Sequence, residues 1–351
     1  MQRRGFAGGV ALHMRKHHVA VLMGGISSEH DVSVKTGAMV VGSIDRDKFN
    51  VTPITITRNG KWKLLGTPAI DVHEALPQLM ALRIDCVFLA LHGPFGEDGR
   101  IQGMFDMLGI PYTGPGCAAS ALAMDKIRSK AVVSQAGVPV ARHEIITRRE
   151  WDSVPHETIA RITTQIGFPC VIKSPCQGSS IGMAIPDTAE HFESALLDVL
   201  SYGDTVLVEE FLEGVELTCG VMDVAPGGRP WALPVTEIRP LTSKFFDYAA
   251  KYDPGASEEI TPARIPEDMT GLVQEYAVKA HDALGCRGLS RSDMILSDRG
   301  PVWFELNTIP GMTETSLFPQ AAAVAGISFP VLIERLVLGA IAFAENAQNN
   351  S

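Results

Sequence analysis

Apolar segments of strand length alternate with longer amphipathic segments along most of the chain. The first, from His18 to Met23, is almost continuously apolar and leads directly into Gly24-Gly25 and a polar loop. Such a segment is typical of a strand buried in a parallel sheet, and the pattern after the loop predicts a helix near Val34 to Ile44. Further strands are predicted at Asn50 to Thr57 and Asp85 to Leu91. Together these elements predict a doubly wound α/β domain.

The same alternation continues beyond this region and predicts two more domains. A continuous helix is expected from Ala118 to Gln135, because Ala, Met and Lys are frequent there and Gly137 follows. Strand patterns lie at Cys170 to Lys173, Thr205 to Glu209, Glu216 to Met222, Met294 to Leu296 and Val302 to Leu306, and helical patterns at Pro266 to Leu284 and Pro330 to Glu345. We predict domains at 18–124, 125–212 and 213–345, with a disordered leader at 1–17 and a disordered tail at 346–351.

Composition narrows the class of protein. The 351 residues exceed the roughly 100–200 of a single domain. No segment approaches the roughly 18 consecutive apolar residues of a membrane span. The net charge of −10 disfavours nonspecific binding to nucleic acid, so we expect neither a polynucleotide nor a membrane as partner. The six cysteines are dispersed and lack CxxC spacing, which indicates reduced thiols and a cytoplasmic protein. The start lacks the features of a signal peptide, and Met14 is an alternative start.

Three oxygen-bearing side chains follow one another near the end of the chain. Glu305 and Asn307 lie two apart in an alternating strand pattern, so both side chains would project from the same face. Asp293 lies in a second strand pattern, which the turn Ser297 to Gly300 would join to the first as a hairpin. Oxygen donors are what a hard cation such as Mg²⁺ selects, although a solvated acidic strand face is the alternative.

Two further segments suggest a nucleotide site. Lys173 precedes a loop rich in glycine and serine, Ser174 to Met183, whose N–H groups and hydroxyls could bind phosphate oxygens. The loop is not a Walker A motif, and a plain surface loop is the alternative. Downstream, the backbone at Glu210 and Leu212 could contact an adenine edge, and Glu216 could accept hydrogen bonds from ribose hydroxyls. An ordinary acidic turn is the alternative for this second segment.

In that order, these segments resemble the ATP-grasp ligases. The resemblance extends to one family, the D-alanine:D-alanine ligases, and covers His18 to Leu338. It rests on Gly24-Gly25-Ile26-Ser27-Ser28-Glu29-His30-Asp31-Val32-Ser33, Leu91-His92-Gly93-Pro94-Phe95-Gly96-Glu97-Asp98-Gly99, Ala123-Met124-Asp125-Lys126 and Asn307-Thr308-Ile309-Pro310-Gly311-Met312-Thr313. The resemblance implies an α/β protein of three-domain ATP-grasp architecture, whose N-terminal domain is the doubly wound parallel-sheet domain.

The resemblance also implies a reaction. ATP would phosphorylate the carboxylate of a first D-alanine, and the amine of a second would displace phosphate to form D-alanyl-D-alanine for peptidoglycan precursors. Two Mg²⁺ or Mn²⁺ ions and a homodimer are implied as well. A carboxylate is a poor electrophile and the transferred phosphoryl group is anionic, so such a site must supply positive charge and metal.

Residue roles are carried over from the family in the same way. ATP would be bound by Lys126, Lys173, Ser179, Ser180, Glu209, Glu210, Leu212, Glu216 and Lys251, and the metal ions by Asp293, Glu305 and Asn307. Arg291 would face the γ-phosphoryl group, and the N–H of Gly311 would stabilise the oxyanion. Glu29 would bind the ammonium group of the first D-alanine and His92 would lie near its carboxylate, whereas Ser316 and Lys251 would bind the second carboxylate.

A mobile lid is implied at Lys244 to Tyr252. Tyr252 would join a hydrogen-bond network with Glu29 and Ser179, and its presence favours an amine over D-lactate as the second substrate. Ala249 departs from the glutamate that is usual in the lid.

Two single residues and the whole chain also have alternative interpretations. His92 could cap a turn, and Ser316 could be the N-cap of a helix at Leu317 to Val324. The rival functions are another ATP-dependent carboxylate ligase, including one that forms an ester, a nucleotide-binding regulator, and a dinucleotide oxidoreductase. The oxidoreductase is disfavoured because no GxGxxG follows the first strand, and the regulator because the metal residues and Arg291 are all present.

Overall fold

The computed structural model describes residues 15–64, 66–178, 181–241 and 257–349 of the chain. Within them, the first sheet has the order β3-β2-β1-β4. Its strands are β1 (His17–Gly24), β2 (Phe49–Ile56), β3 (Trp62–Leu64) and β4 (Cys86–Leu89), and its helices are α1 (His30–Ser43), α2 (Val72–Ala81) and α3 (Arg100–Leu108). β1 runs parallel to β2 and to β4, and β3 adds an antiparallel edge.

Helices cover both faces of this first sheet. Alternate residues of β1 enter different hydrophobic clusters, with Ala20 and Leu22 on one face and Val19 and Val21 on the other. The cluster of Ala20 includes residues of α2 and α3, whereas that of Val19 includes residues of α1. The prediction of a doubly wound sheet is thereby confirmed.

The second sheet is antiparallel and has the order β5-β8-β6-β7. Its strands are β5 (His143–Thr147), β6 (Cys170–Lys173), β7 (Met183–Ala184) and β8 (Thr205–Glu210). Before it in the chain lie α4 (Cys117–Met124) and α5 (Lys126–Gln135), and within it α6 (Arg148–Ser153), α7 (Pro155–Gln165) and α8 (Ala189–Leu200). Alternation along β6 buries Cys170 and Ile172 beneath these last three helices, so Val171 and Lys173 face the opposite side.

The third sheet has the order β12-β11-β9-β13-β14, with β10 beside β9. Its strands are β9 (Val215–Asp223), β10 (Trp231–Ala232), β11 (Thr236–Pro240), β12 (Ser257–Ile260), β13 (Gly288–Ser297) and β14 (Gly300–Asn307). The remaining helices are α9 (Glu267–Ala283), α10 (Leu317–Val324) and α11 (Phe329–Asn349). Both α5 and α9 pack against β14, so α5 contributes to this third sheet's core.

One hydrophobic core joins the two ends of the chain. Leu332 and Leu336 of α11 belong to the same buried cluster as Val19, Val21 and Phe88 of the first sheet, and α11 contacts both β4 and α1. The ranges 18–124 and 213–345 therefore share a core, although each contains its own sheet. The domain boundaries themselves stay predictions.

Three predicted boundaries differ from the structure. The helix expected from Ala118 to Gln135 is broken at Asp125, whose extended backbone starts a new helix and whose carboxylate accepts hydrogen bonds from the N–H groups of Ile127 and Arg128. The disordered tail predicted from residue 346 is wrong as far as Asn349, because α11 continues to that residue. The described part of the leader, residues 15–17, is ordered, since Arg15 binds Asp85 and His17 begins β1.

No single helix among the described residues is long and apolar enough to cross a membrane. In the part of the chain that the structure describes, α10 and α11 together reach the required length and composition, but they are bent by 104° relative to each other. Phe318 of α10 and Leu332 of α11 are buried in the shared core. Their apolar character is explained by that packing.

Candidate active site

β13 and β14 form the predicted hairpin, with its turn at Ser297 to Gly300 as expected. Across the two antiparallel strands, Arg291 pairs with Asn307 and Asp293 pairs with Glu305. Directly opposed residues share a face, and so do residues two apart on one strand. All four side chains therefore project from the same face of the sheet, so the hairpin brings the three predicted metal ligands together beside Arg291.

Asp293 holds this group of side chains in place. Its carboxylate accepts hydrogen bonds from the Arg291 guanidinium (2.9 and 2.8 Å), the Thr218 hydroxyl (2.6 Å) and the Asn307 amide nitrogen (3.0 Å). Two carboxylates and an amide oxygen are hard donors, which fit Mg²⁺ or Mn²⁺ better than a metal that prefers thiolate or imidazole. Among the described residues no three His, Cys, Asp or Glu side chains are placed to hold a metal, so a metal ion at this hairpin would need the amide oxygen of Asn307 as well.

A cluster of lysines lies beside the hairpin. The Lys126 ammonium group is 3.3 Å from Glu305 Oε2 and donates to the Gln177 carbonyl oxygen at 2.8 Å. Lys173 Nζ is 2.7 Å from one Glu209 oxygen, and Lys130 Nζ is 2.7 Å from the other. Burial alone would raise the pKa of Glu209, but the charges of Lys173 and Lys130 outweigh it and lower that pKa to about 2. Glu209 is thus an ionised bridge between two lysines.

Two cavities lie on either side of Lys126 and Glu305. The first, of about 710 Å³, is lined by Glu29, His92, Arg291, Asn307, Gly311 and Ser316, among others. The second, of about 600 Å³, is lined by Lys173, Glu209, Glu210, Leu212 and Glu216. Lys126, Gln177 and Glu305 line both cavities. The residues predicted for the amino acids and those predicted for the nucleotide are thus separated, and they meet at one junction.

Glu29 lies against two glycines of different loops. Gly93 has φ +70°, and a Cβ there would overlap the Glu29 carboxylate, so both conformation and space require glycine. A Cβ at Gly178 would lie 3.1 Å from Glu29 Oε2. The loop that carries Ser179 therefore lies close to Glu29 at Gly178, the last residue that the structure describes before 179. Four predicted site residues, Ser179, Ser180, Lys251 and Tyr252, lie outside the described residues, and so does Ala249.

A hydrogen bond within the protein occupies part of the Glu210 backbone, which was predicted to contact adenine. The Glu210 N–H donates to the Arg142 carbonyl oxygen at 3.0 Å. The Glu210 carboxylate binds the guanidinium groups of Arg142 at 2.8 Å and Arg299 at 2.6 Å. The N–H of this residue is therefore engaged within the protein and does not face a ligand. Its carbonyl group is the part of the backbone that stays a candidate.

Ser316 occupies the position before α10, but its hydroxyl does not cap that helix within the described residues. The hydroxyl oxygen instead accepts the N–H of Thr313 at 2.9 Å and contacts the Thr313 hydroxyl at 2.8 Å. A Cβ at Gly311 would be 2.8 Å from the Ser316 oxygen, which explains why glycine stands there. The start of α10 faces the first cavity, since Leu317 lines it.

His92 lines the first cavity as expected, but its side chain does not cap a turn. Nδ1 lies 3.0 Å from the Ile309 carbonyl oxygen, and Nε2 lies 3.0 Å from the Thr36 hydroxyl. Burial is the main cause that lowers the pKa of His92. Both ring nitrogens therefore contact protein atoms.

Two partly buried carboxyl groups that line the first cavity were missed by sequence reasoning. Burial and the neighbouring Glu29 raise the pKa of Glu97 to about 8. Burial also raises the pKa of Glu259, which accepts a hydrogen bond from Gln320 at 3.1 Å. Glu97 lies inside the quoted motif Gly96-Glu97-Asp98-Gly99, which was a usable signal, whereas nothing in the sequence near Glu259 pointed to the site.

Comparison with known proteins gives consistent matches. A family model described as D-ala D-ala ligase N-terminus matches residues 18–115, and one described as D-ala D-ala ligase C-terminus matches residues 132–338. A D-alanine–D-alanine ligase of Desulforudis audaxviator is 42% identical over 321 residues, which cover 91% of this chain and 97% of that protein. One of Syntrophobacter fumaroxidans is 44% identical over 320 residues, with 91% and 96% covered.

Solved structures agree with these matches. The D-alanine–D-alanine ligase of Bacillus anthracis in complex with ATP has a TM-score of 0.74 and 29% identity, and 94% of this chain and 99% of that chain are covered. The VanG D-Ala:D-Ser ligase of Enterococcus faecalis has a TM-score of 0.79 and 32% identity, with 93% and 100% covered. The similarity therefore extends over all three sheets.

Proposed function

The chain belongs to the D-alanine–D-alanine ligase family, and we propose that its two adjoining cavities divide that family's substrates between them. The enzyme is an ADP-forming ligase that joins two D-alanines through an acyl phosphate for peptidoglycan precursors, with ATP and divalent metal ions. The predictions of family, fold class, reaction and cofactors are confirmed. The assignment of individual residues and subsites is the proposal.

The second cavity takes ATP in this proposal. The Lys173 ammonium group, fixed by Glu209, faces the phosphates at one end, and Glu216 faces the ribose. Asp293, Glu305 and Asn307 hold the metal ions, since they supply three oxygen donors on one face of the hairpin. When bound, the metal ions neutralise phosphate charge and orient the phosphate chain. Lys126 lies at the junction of the two cavities and binds the phosphate end of the nucleotide as well.

The first cavity takes both D-alanines. Glu29 binds the ammonium group of the first, and Arg291 attracts its carboxylate toward the γ-phosphoryl group at the junction. The carboxylate oxygen attacks phosphorus, ADP leaves, and an acyl phosphate forms. The proposal is supported above all by one observation, that Lys126, Gln177 and Glu305 line both cavities, because phosphoryl transfer requires the two substrates to meet.

The second step uses the opposite wall of the first cavity. The amine of the second D-alanine, once it has lost a proton, attacks the acyl carbon, and the oxygen that becomes negative is stabilised by Arg291 and the Gly311 N–H. Cleavage of the bond between the acyl carbon and the phosphate oxygen then releases phosphate and leaves the peptide bond. The carboxylate of the second D-alanine binds at Ser316 and the start of α10, where a helix N-terminus favours an anion.

Phosphate release from ATP and Mg²⁺ tests this function. The amino acid would be D-alanine, L-alanine, or D-alanine together with D-serine or D-lactate, and products would be identified by mass. We expect release that depends on D-alanine and gives D-alanyl-D-alanine. A mixed dipeptide or an ester as the main product would overturn the assignment of the second substrate. Absence of release with every substrate would favour a nucleotide-binding regulator.

Glu305→Gln tests the junction of the two cavities. The substitution keeps the shape of the side chain but removes one negative charge beside Lys126, so a metal ion would be held less tightly. We expect turnover to fall by about a hundredfold or more, with an unchanged melting temperature. Glu334→Gln is the matched control, because Glu334 pairs with the exposed Lys48 away from both cavities. Equal turnover in both variants would contradict the assignment.

We also propose that the protein is a homodimer and that it works in the cytoplasm. Its domains are proposed at about 18–124, 125–212 and 213–345. The family resemblance supports the homodimer, and all six cysteines are free thiols, as a reducing compartment requires. Light scattering coupled to size-exclusion chromatography tests the dimer. A mass of about one chain at micromolar concentration would contradict it.

A further inference from the structure

The peptide groups around Gly311 are held by side chains from the first sheet's loops and helices. The Ile309 N–H donates to Glu97 Oε1 at 3.0 Å. The carbonyl oxygen of the same residue lies 3.0 Å from His92 Nδ1. Ile309 therefore has both backbone polar groups bound by side chains more than 200 positions earlier in the chain.

The hydrogen-bond partners determine which nitrogen of His92 carries the proton. A carbonyl oxygen can only accept, so Nδ1 must be the donor to Ile309. A neutral imidazole then accepts at Nε2, and the Thr36 hydroxyl, 3.0 Å away, supplies that hydrogen. The Thr36 oxygen is in turn 3.5 Å from the Met312 N–H, a long contact. The chain of contacts thus reaches both sides of Gly311.

The side chains that hold Ile309 are fixed themselves. The other oxygen of Glu97 accepts the Gly93 N–H at 2.8 Å. The Ser27 hydroxyl donates to the His92 carbonyl oxygen at 2.7 Å. Thr36 and His92 are buried, and Glu97 is partly buried. A protonated carboxyl group still accepts hydrogen bonds on its oxygens, so the raised pKa of Glu97 is compatible with both contacts.

We propose that Thr36, His92 and Glu97 are positioning residues, which hold Ile309 and Met312 so that the intervening Gly311 N–H points at the developing oxyanion. The inference rests on the proposed function. Glycine has the widest backbone freedom of all residues, so its neighbours must set the direction of its N–H. In this arrangement His92 is a neutral hydrogen-bonding group and transfers no proton. A donor displaced by about 1 Å costs about a hundredfold in rate.

His92→Asn and His92→Ala separate positioning from proton transfer. The amide nitrogen of Asn can take the place of Nδ1 and donate to Ile309, whereas Ala removes the donor. We expect kcat to fall about a hundredfold in His92→Ala and less than tenfold in His92→Asn. The KM for ATP should stay within twofold of wild type in both. The pH profile of kcat in His92→Asn should keep its shape, since no proton transfer is lost.

Thr36→Val and Thr52→Val form a matched pair for the other end of the network. Each replaces a buried threonine whose hydroxyl contacts a histidine Nε2, but Thr52 contacts His18 far from both cavities. We expect kcat to fall about tenfold in Thr36→Val and to stay within twofold in Thr52→Val. Melting temperatures of both variants control for folding.

The results of these experiments test this inference separately from the proposed function on which it rests. If the wild-type protein releases no phosphate in response to D-alanine, the proposed function and this inference are both overturned. If the wild type is active, full activity of His92→Ala would overturn the inference alone. So would a His92→Asn variant as slow as His92→Ala, because the imidazole itself would then be needed. A rise in the KM for ATP that matches the fall in kcat would also overturn it.

Discussion

Glu209 shows how burial and charge act on a single residue of the site. The sequence predicted this residue for ATP binding, but it could not reveal that Lys130 and Lys173 would bind its two oxygens. Lys130 lies on α5 and Lys173 at the end of β6, so only the tertiary structure brings them to one carboxylate. Lys173 lines the second cavity, and its role in ATP binding, which the local pattern of its loop suggested, stays a prediction.

The depressed pKa of Glu209 predicts a specific loss of stability in acid. The pKa falls from 4.5 to about 2 on folding, so the ionised form contributes stability above pH 4.5 that is lost as the pH falls toward 2. The full contribution is about 3 kcal/mol, from 1.36 kcal/mol per pKa unit. Glu209→Gln cannot titrate and should lack this component. Urea unfolding of both proteins between pH 6 and pH 3 measures it.

The control for this prediction is Glu258→Gln, because Glu258 is half exposed and forms an ion pair with Arg264 at 3.7 Å. Its unfolding free energy should follow that of wild type at every pH. If Glu209→Gln also loses stability in parallel with wild type as the pH falls, the bridge between the two lysines does not hold Glu209 ionised.

At the scale of elements, local signals predicted the β13–β14 hairpin well. Alternation and the turn at Ser297 to Gly300 both lie within a few residues, and they place Asp293 opposite Glu305. The break between α4 and α5 was not predicted, because the surrounding Ala, Met and Lys residues all favour a continuous helix. Asp125 breaks it by capping α5, and the Lys126 N–H donates to the Pro175 carbonyl oxygen at 3.0 Å.

This capping interaction predicts an effect on both stability and nucleotide binding. Asp125→Ala removes the acceptor for two N–H groups of α5, which should cost about 1 kcal/mol of unfolding free energy. Lys126 is the first residue of α5, so its ammonium group should be less well placed and the KM for ATP should rise several-fold. Asp125→Asn keeps an acceptor and should lie close to wild type in both respects. Chemical denaturation and initial-rate kinetics measure the two effects, and a stable Asp125→Ala variant with normal KM would contradict the role.

At the scale of the whole molecule, the sequence indicated which faces were apolar but not what would cover them. The almost continuously apolar segment from His18 to Met23 predicted a strand buried on both faces, and the terminal helix was predicted as amphipathic. The structure pairs them, since α11 packs on β4 and α1 in the same core as Val19 and Val21. Long-range pairing of this kind cannot be predicted from periodicity, because periodicity fixes a face and leaves its partner open.

The shared core predicts that damage in α11 spreads to the first sheet. Leu336 is 2% exposed in this core, so Leu336→Ala should cost about 2–5 kcal/mol of unfolding free energy. Leu338→Ala on the same helix is the control, because that side chain is 40% exposed and should change stability by less than about 0.5 kcal/mol. Hydrogen exchange followed by mass spectrometry then locates the damage. We expect faster exchange in β1 and β4 as well as in α11, since loss of one packing layer weakens every element that shares it. Faster exchange confined to α11 would mean that the first sheet is stable without that helix, and that the two ends of the chain fold independently.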